Sequence, residues 1–137
     1  MRVGFTGTRS GMTPEQMQAL RKLLLSYDYL EFHHGDCIGA DDEAHAIVTA
    51  GHDHVTTIIH PPIDDSKRAW CVGDIVKPPK TYFARNRDIV QATDITIGTP
   101  FGPKGVPAGG TWYTLDYSVK TKHATIIIWP NGDVILL

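Results

Sequence analysis

A glycine pair at the start of a predicted helix is the segment of this sequence best suited to bind a phosphate group. Gly109, Gly110 and Thr111 follow a loop rich in glycine and proline and open an amphipathic segment. Two glycines let the backbone approach a ligand closely, and the first N–H groups of a helix attract anions. The Thr111 hydroxyl can cap the helix or donate to a phosphate oxygen. These residues therefore form a candidate phosphate-binding turn, although ordinary loop-to-helix junctions have the same pattern.

A second group of candidate ligand-binding residues follows the first predicted strand. Gly7 and Thr8 offer backbone N–H groups and a hydroxyl, and Arg9 adds a guanidinium. The planar fork of an arginine binds two phosphate oxygens at once. We interpret this turn as a further part of a phosphate site, and an exposed arginine in a turn is the alternative.

Acidic residues are concentrated in the loop and helix start that follow the second predicted strand. Asp36 lies after Gly35 and before the helix, where a carboxylate could bind a ribose hydroxyl. Asp41 and Asp42 fall in the first helical turn, where an acidic side chain interacts favourably with the helix dipole or caps the helix. Asp36 is therefore the better candidate for a ligand contact.

Two arginines at the start of a later helix are further candidates. Arg85 and Arg87 are two positions apart, so on a helix they point to different sides. Both can reach one ligand only if the helix begins there. The alternative is a salt bridge, for example between Arg85 and Asp88.

The composition narrows the range of partners. The chain has 137 residues, 13 basic and 15 acidic, and a formal net charge of −2. This balance argues against a nucleic acid backbone as the main partner, because a protein that binds nucleic acid usually has a basic face. The first residues read as a strand start rather than a signal peptide, and no apolar run approaches about 18 residues. We therefore expect a cytoplasmic protein with no membrane partner.

The cysteines and histidines do not predict a metal site. Cys37 and Cys71 have neither redox nor zinc spacing, which favours reduced thiols. His33, His34 and Cys37 are close in sequence, but adjacent residues in a strand point to opposite faces. We expect no bound metal and no cofactor.

Strands alternate with helices along the chain, which predicts a mainly parallel sheet with right-handed crossovers. The predicted strands are residues 2–7, 30–34, 55–60, 95–98, 124–129 and 134–137, and the helices run from about 13 to 26, 41 to 50, 82 to 92 and 111 to 122. Residues 61–80 are irregular and read as an ordered loop over the site, with a linker as the alternative. The prediction is one α/β domain, residues 1–137, with a Rossmann-like three-layer arrangement, helices on both faces and a C-terminal hairpin strand. Ligands of such sheets bind at the carboxyl ends of the strands, so the candidate loops should converge at one edge.

The chain resembles the SLOG superfamily of Rossmann-like proteins, which includes the DprA/Smf DNA-processing domain and the LOG phosphoribohydrolases. The resemblance rests on four segments: Val3 to Arg9, His34 to His45, Arg85 to Val90, and Gly110 to Thr114, in this order. The last segment is similar to a conserved "GS..T" turn of DprA-like proteins, which adds Thr114 to the candidate phosphate-binding residues. Homodimers are frequent among these proteins, so the resemblance also implies a homo-oligomer.

The resemblance to the LOG enzymes implies roles for two residues. Arg85 falls on the family's catalytic arginine and Asp116 on its glutamate. Our first hypothesis is therefore nucleotide binding with hydrolysis of the N-glycosidic bond of a nucleoside monophosphate. Asp116, or Asp36 in its place, would stabilise the charge that develops on the sugar and activate water, while Arg85 would hold the phosphate.

Two alternatives remain open at this point. The same pocket would serve a module that senses or sequesters a nucleotide without turnover. A DprA-like DNA-processing protein is the second alternative, which the net charge argues against.

Overall fold

The computed structural model describes residues 1–105 and 110–137. Within these residues the chain forms seven strands, four α-helices and a short 3₁₀ helix, Asp65–Lys67. The strands are β1 (Arg2–Gly7), β2 (Glu31–His34), β3 (Thr56–Ile59), β4 (Ile75–Val76), β5 (Ile95–Thr99), β6 (Ala124–Ile128) and β7 (Val134–Leu136). The helices are α1 (Pro14–Leu25), α2 (Ala40–Gly51), α3 (Tyr82–Gln91) and α4 (Thr111–Lys120). The predicted α/β class is confirmed.

The described strands form one sheet in the order β4-β3-β2-β1-β5-β6-β7. Neighbouring strands are parallel except for the pair β6–β7, which makes the predicted C-terminal hairpin. From β1 the chain builds the sheet outward through β2, β3 and β4, and it then returns to β5 on the other side of β1. The topological switch point therefore lies between β1 and β5, where Gly7 pairs with Thr99 at the carboxyl ends.

The beginning of α1 shows how the local sequence fixes an element. The Thr13 hydroxyl accepts a hydrogen bond from Gln16 N, and the Gln16 side chain accepts one from Thr13 N, which together form a capping box. Pro14 occupies the first turn, where its missing N–H costs nothing. The Gln16 amide also donates to the carbonyl oxygens of Pro100 and Ile128. One buried side chain thus ties α1 to the ends of two strands.

Helices cover both faces of the sheet, as predicted. The apolar side chains of α1 and α2 pack on one face, and α3 and α4 contact the other. Small residues let the second pair of helices approach closely. A Cβ at Gly4 would lie 3.1 Å from Ile89 of α3, and one at Gly98 would lie 2.5 Å from Leu115 of α4. A larger side chain at either position would push its helix away from the sheet.

Residues 61–80 belong to the sheet edge, which the sequence did not predict. Two of them form β4 on the outer side of β3, and Pro62 bridges Lys80. The Asp74 carboxylate accepts hydrogen bonds from both the backbone N–H and the hydroxyl of Thr57. A two-residue strand is too short to give a periodic pattern, which explains why it was missed.

None of the helices in the described ranges is long and apolar enough to cross a membrane.

Candidate functional site

A cavity of about 380 Å³ lies at the topological switch point, as expected for ligand sites in open α/β sheets. We call it the switch-point cavity. Its walls come from the end of β1 and the turn after it, from the loop between β2 and α2, from the first turns of α2 and α3, and from the segment after β5. The lining residues are Phe5, Thr6, Gly7, Thr8, Arg9, Ser10, Gly35, Cys37, Asp41, Tyr82, Arg85, Asn86, Ile89 and Phe101.

The turn after β1 is held against the start of α2. Thr8 O accepts hydrogen bonds from Gly11 N at 3.1 Å and from Ala40 N at 3.0 Å. Gly39 has a φ of 101°, and a Cβ there would overlap the backbone of Arg9. This packing turns Arg9 outward, so its exposed side chain lies at the cavity rim.

The rim offers groups that suit an anion. Arg9 and Ser10 are exposed, and within the described chain their backbone N–H groups have no internal acceptor. The hydroxyls of Thr8 and Ser10 lie 3.0 Å apart. A guanidinium, two hydroxyls and free N–H groups are the donors that bind phosphate oxygens in proteins.

Arg85 is buried in the cavity wall with 3% of its surface exposed. Its Nη1 donates to the carbonyl oxygens of Gly35 and His60, and its Nη2 contacts Cys37 Sγ at 3.1 Å. The guanidinium carbon lies 4.9 Å from the centre of the Tyr82 ring. The Arg85 Nε is buried and has no hydrogen-bond partner among the described residues.

Asp41 lies in the same wall and is 6% exposed. Its Oδ2 accepts from Cys37 N at 3.1 Å, whereas its buried Oδ1 has no partner among the described residues. Burial raises the pKa of the Asp41 carboxyl to about 6, against the opposing effect of the Arg85 charge. Two buried, charged side chains of opposite sign therefore lie in the wall of one cavity, and charged side chains are rarely buried in folded proteins unless they are paired or bind a ligand.

The glycine turn before α4 adjoins this wall through Tyr82. Gly110 N donates to the Tyr82 hydroxyl at 2.8 Å, so this N–H is already used within the protein. Thr111 is buried, and the Thr114 hydroxyl donates to Gly110 O at 3.0 Å. Gly109 lies outside the described residues.

Trp112, the next residue after this turn, does not fill the cavity. Its indole N–H donates to Gly102 O, and its ring packs against Trp129. The Tyr82 side chain contacts both the Arg85 guanidinium and the Gly110 N–H.

Five of the predicted site residues line the cavity, six others do not, and Gly109 lies outside the described residues. Gly7, Thr8, Arg9, Gly35 and Arg85 are in the lining. Asp36 is fully buried, and its carboxylate accepts hydrogen bonds from Arg68 Nε at 2.7 Å and Cys71 N at 2.9 Å. Asp116 is half-exposed and pairs with Lys104 at 2.7 Å, and Arg87 donates to the Tyr113 hydroxyl. Gly110, Thr111 and Thr114, described above, also lie outside the lining.

Nine of the fourteen lining residues were missing from the predicted site, including Asp41, Tyr82, Asn86 and Cys37. Asp41 was interpreted as a helix-start acid, and Tyr82, Asn86 and Cys37 were not proposed at all. The sequence offered one signal for Asp41, which lies two residues after Gly39. A glycine just before a helix lets the helix start pack closely against another turn, here the turn after β1. Tyr82 had none, since its contacts with Gly110 and Arg85 depend on how α3 packs.

A group of possible metal ligands was also not foreseen. Nitrogen and sulfur atoms of His34, His45 and Cys71 lie within 4.8 Å of one another. Asp36 N donates to His34 Nδ1, so the neutral His34 ring carries its proton on Nε2, which faces His45 Nδ1 at 2.9 Å. His45 Nε2 in turn donates to Val72 O. This ordered chain of hydrogen bonds already uses the nitrogens that a metal would need.

Comparison with known proteins establishes the fold. No protein-family model matches the sequence, and no curated protein matches it. Among solved structures, the chain is similar to the molybdenum cofactor binding protein from the phototrophic bacterium Rippkaea orientalis, with a TM-score of 0.69 and 20% sequence identity. The match covers 93% of this chain and 75% of that chain. At this identity the likeness shows a shared Rossmann-like α/β fold.

Proposed function

We propose that the protein binds a phosphorylated small molecule, a nucleotide or a cofactor of similar size, in the switch-point cavity. The observation that carries this proposal is the switch-point cavity, which has the buried, charged side chains of Arg85 and Asp41 in its wall and the exposed Arg9 and Ser10 at its rim. Burying charged groups costs free energy, and such groups in a cavity wall are typical of a binding site.

The phosphate is assigned to the rim. The nitrogens of Arg85 are largely used by Gly35, His60 and Cys37, whereas Arg9 is exposed and lies next to free N–H groups. We therefore place the phosphate at Arg9, in contrast to the sequence-based expectation that Arg85 would hold it. The cavity volume suits a ligand of nucleoside size.

Two further considerations support the proposal. The segments that carry the resemblance to the SLOG superfamily include the β1 turn and the start of α2, both of which form cavity walls. The similar structure from Rippkaea orientalis is described as binding a cofactor, which is compatible with ligand binding by this fold. We propose membership in the SLOG superfamily on these grounds.

No reaction is assigned to the cavity. The N-glycosidase hypothesis depended on Asp116 and Asp36, and neither side chain is in the cavity lining. The Asp36 carboxylate is occupied by Arg68 and Cys71, and we propose that it fastens the loop that these residues belong to. Binding without turnover is therefore the simpler function.

The test is calorimetric titration of the protein with nucleoside monophosphates and with the matching nucleosides. Arg9→Gln should weaken binding of the monophosphate by about 10-fold or more, because a charge-assisted hydrogen bond contributes about 1.5–3 kcal/mol. Arg21→Gln is the matched control, since Arg21 is exposed on α1 and lies outside the cavity lining. Equal losses for monophosphate and nucleoside would contradict the placement of the phosphate, and no binding of any compound would contradict the proposed function.

A further inference from the structure

We infer that β7 pairs antiparallel with β7 of a second copy of this chain, so that two copies form a two-fold symmetric dimer with one continuous sheet. β7 pairs with β6 on one side, and none of the described strands lies on its other side. The residues from Val134 to Leu137 are all apolar and between 44% and 70% exposed. An exposed apolar edge of this kind is a template for a further strand.

The sequence treats the two edges of the sheet differently. At the opposite edge, β4 has only two residues and is followed by Lys77, two prolines and Lys80. Short strands, prolines and lysines are the features that keep a sheet edge from pairing with another chain. The segment from Val134 to Leu137 has no proline and no charged side chain. Only the β7 edge therefore lacks this protection, which indicates that another strand covers it.

The hydrogen bonds between β6 and β7 determine which backbone groups of β7 point outward. Leu137 N donates to Thr125 O, so these two residues form a hydrogen-bonded pair of the antiparallel ladder. Such pairs alternate along the ladder, so Ile135 also bonds to β6. Val134 and Leu136 therefore point their N–H and C=O groups away from β6, toward the open edge.

One symmetric register uses all of these outward groups. A two-fold axis between the two Ile135 residues places Val134 opposite Leu136 of the second copy, and Leu136 opposite Val134. Each of these pairs exchanges two hydrogen bonds, as in any antiparallel sheet. The two Ile135 residues then face each other as a pair without hydrogen bonds, with Cα atoms about 4.5 Å apart.

The surface beside β7 is self-complementary in the same arrangement. A groove of about 570 Å³ lies between β7 and α1, and its lining includes Val134, Glu15 and Lys22. Glu15 and Lys22 are exposed, and neither forms an ion pair within the described part of the chain. An axis normal to the sheet keeps α1 of both copies on one face and makes them antiparallel. The Lys22 end of one helix then lies on the side of the Glu15 end of the other, and this match of opposite charges favours a second copy as the partner.

The first test is sedimentation velocity of wild type, Ile135→Lys and Ile75→Lys over a range of concentrations from about 1 to 500 μM, because an interface of modest area is expected to be weak. Ile135→Lys places two ammonium groups at the axis and should raise the dissociation constant of the dimer by about 10-fold or more. Ile75→Lys is the matched control, since Ile75 lies on the other edge strand and is 45% exposed against 44% for Ile135. It should change the constant by less than about 2-fold.

The second test addresses the register and introduces no charge. In the proposed dimer, the Cα atoms of the two residues 135 are at a separation that a disulfide can span. With oxidised glutathione, Ile135→Cys should therefore give a covalent dimer on a non-reducing gel. Wild type and Ile75→Cys, which control for the native thiols and for an exposed cysteine at a sheet edge, should remain single chains.

Three results would overturn the inference. They are a wild type that stays monomeric over the whole concentration range, a dimer that Ile135→Lys leaves unchanged, and an Ile135→Cys variant that cross-links no more than Ile75→Cys. If Ile135→Lys does not fold, the cross-linking result decides. The ligand-binding proposal is independent of all these outcomes, because β7 contributes no residue to the switch-point cavity.

Discussion

Replacing Asp41 by asparagine should stabilise the ligand-free protein. Burial raises the pKa of Asp41 from its ordinary value of 3.8 to about 6. One pKa unit corresponds to about 1.4 kcal/mol, so ionised Asp41 costs the folded state about 3 kcal/mol at neutral pH. The neutral amide of the same shape removes this cost. We expect the free energy of unfolding at pH 7.5 to rise by about 1–3 kcal/mol.

The pH dependence identifies the cause. The folded-state pKa of Asp41 lies above the unfolded value. As far as this group is concerned, the fold is therefore more stable at low pH, where the Asp41 carboxyl is protonated and neutral, than at neutral pH, where it is ionised. This stabilisation is lost as the pH rises from about 4 through about 6. The advantage of Asp41→Asn should therefore be full at pH 7.5 and should disappear near pH 4.

Urea unfolding of wild type, Asp41→Asn and Asp42→Asn at pH 4.0, 5.5 and 7.5 measures this effect. The control variant removes the same charge from an exposed position, so its free energy of unfolding should change by less than about 0.5 kcal/mol. A destabilised Asp41→Asn at pH 7.5, or a difference that does not vary with pH, would refute the reasoning.

Two other predictions concern the residues around the cavity. Gly35→Ala should lower the free energy of unfolding by about 2 kcal/mol in urea titrations and weaken ligand binding, since the new Cβ would lie 2.5 Å from Arg85 Nη1. Gly51→Ala is the control and should be neutral or stabilising, because no atom lies within 4 Å of its new Cβ. On acidification from pH 6.5 to 4, His60 should contribute a destabilisation, opposite in sign to the effect of Asp41, because burial lowers the pKa of His60 to about 4 and the unfolded chain takes up the proton first. Urea midpoints of His60→Gln should fall less over this range than those of wild type and of the exposed control His54→Gln, and an equal fall in all three would contradict the assignment.

Much of the fold could be predicted from local patterns. The capping box at Thr13 and Gln16 fixed the start of α1, and the β-branched run that ends at Ile128 marked β6. The Asn131-Gly132 pair indicated the hairpin into β7. These features were readable because each depends on neighbours within a few residues.

The site was harder to predict, because its geometry depends on contacts between distant segments. The Gly35 and Arg85 segments are 50 positions apart, yet the Arg85 guanidinium bonds to Gly35 O. The loop containing Arg68 and Cys71 folds back over Asp36 and occupies both oxygens of the carboxylate that was expected to bind a ribose. Residue types indicated which groups could bind a ligand, but only packing decided which of them face the cavity.

The most direct test of the account is a crystal structure of the protein with a bound nucleoside monophosphate. We predict that the nucleotide occupies the switch-point cavity, with its phosphate in hydrogen-bonding contact with Arg9 and Ser10. A nucleotide bound at another surface of the protein, with the cavity empty, would contradict the central claim.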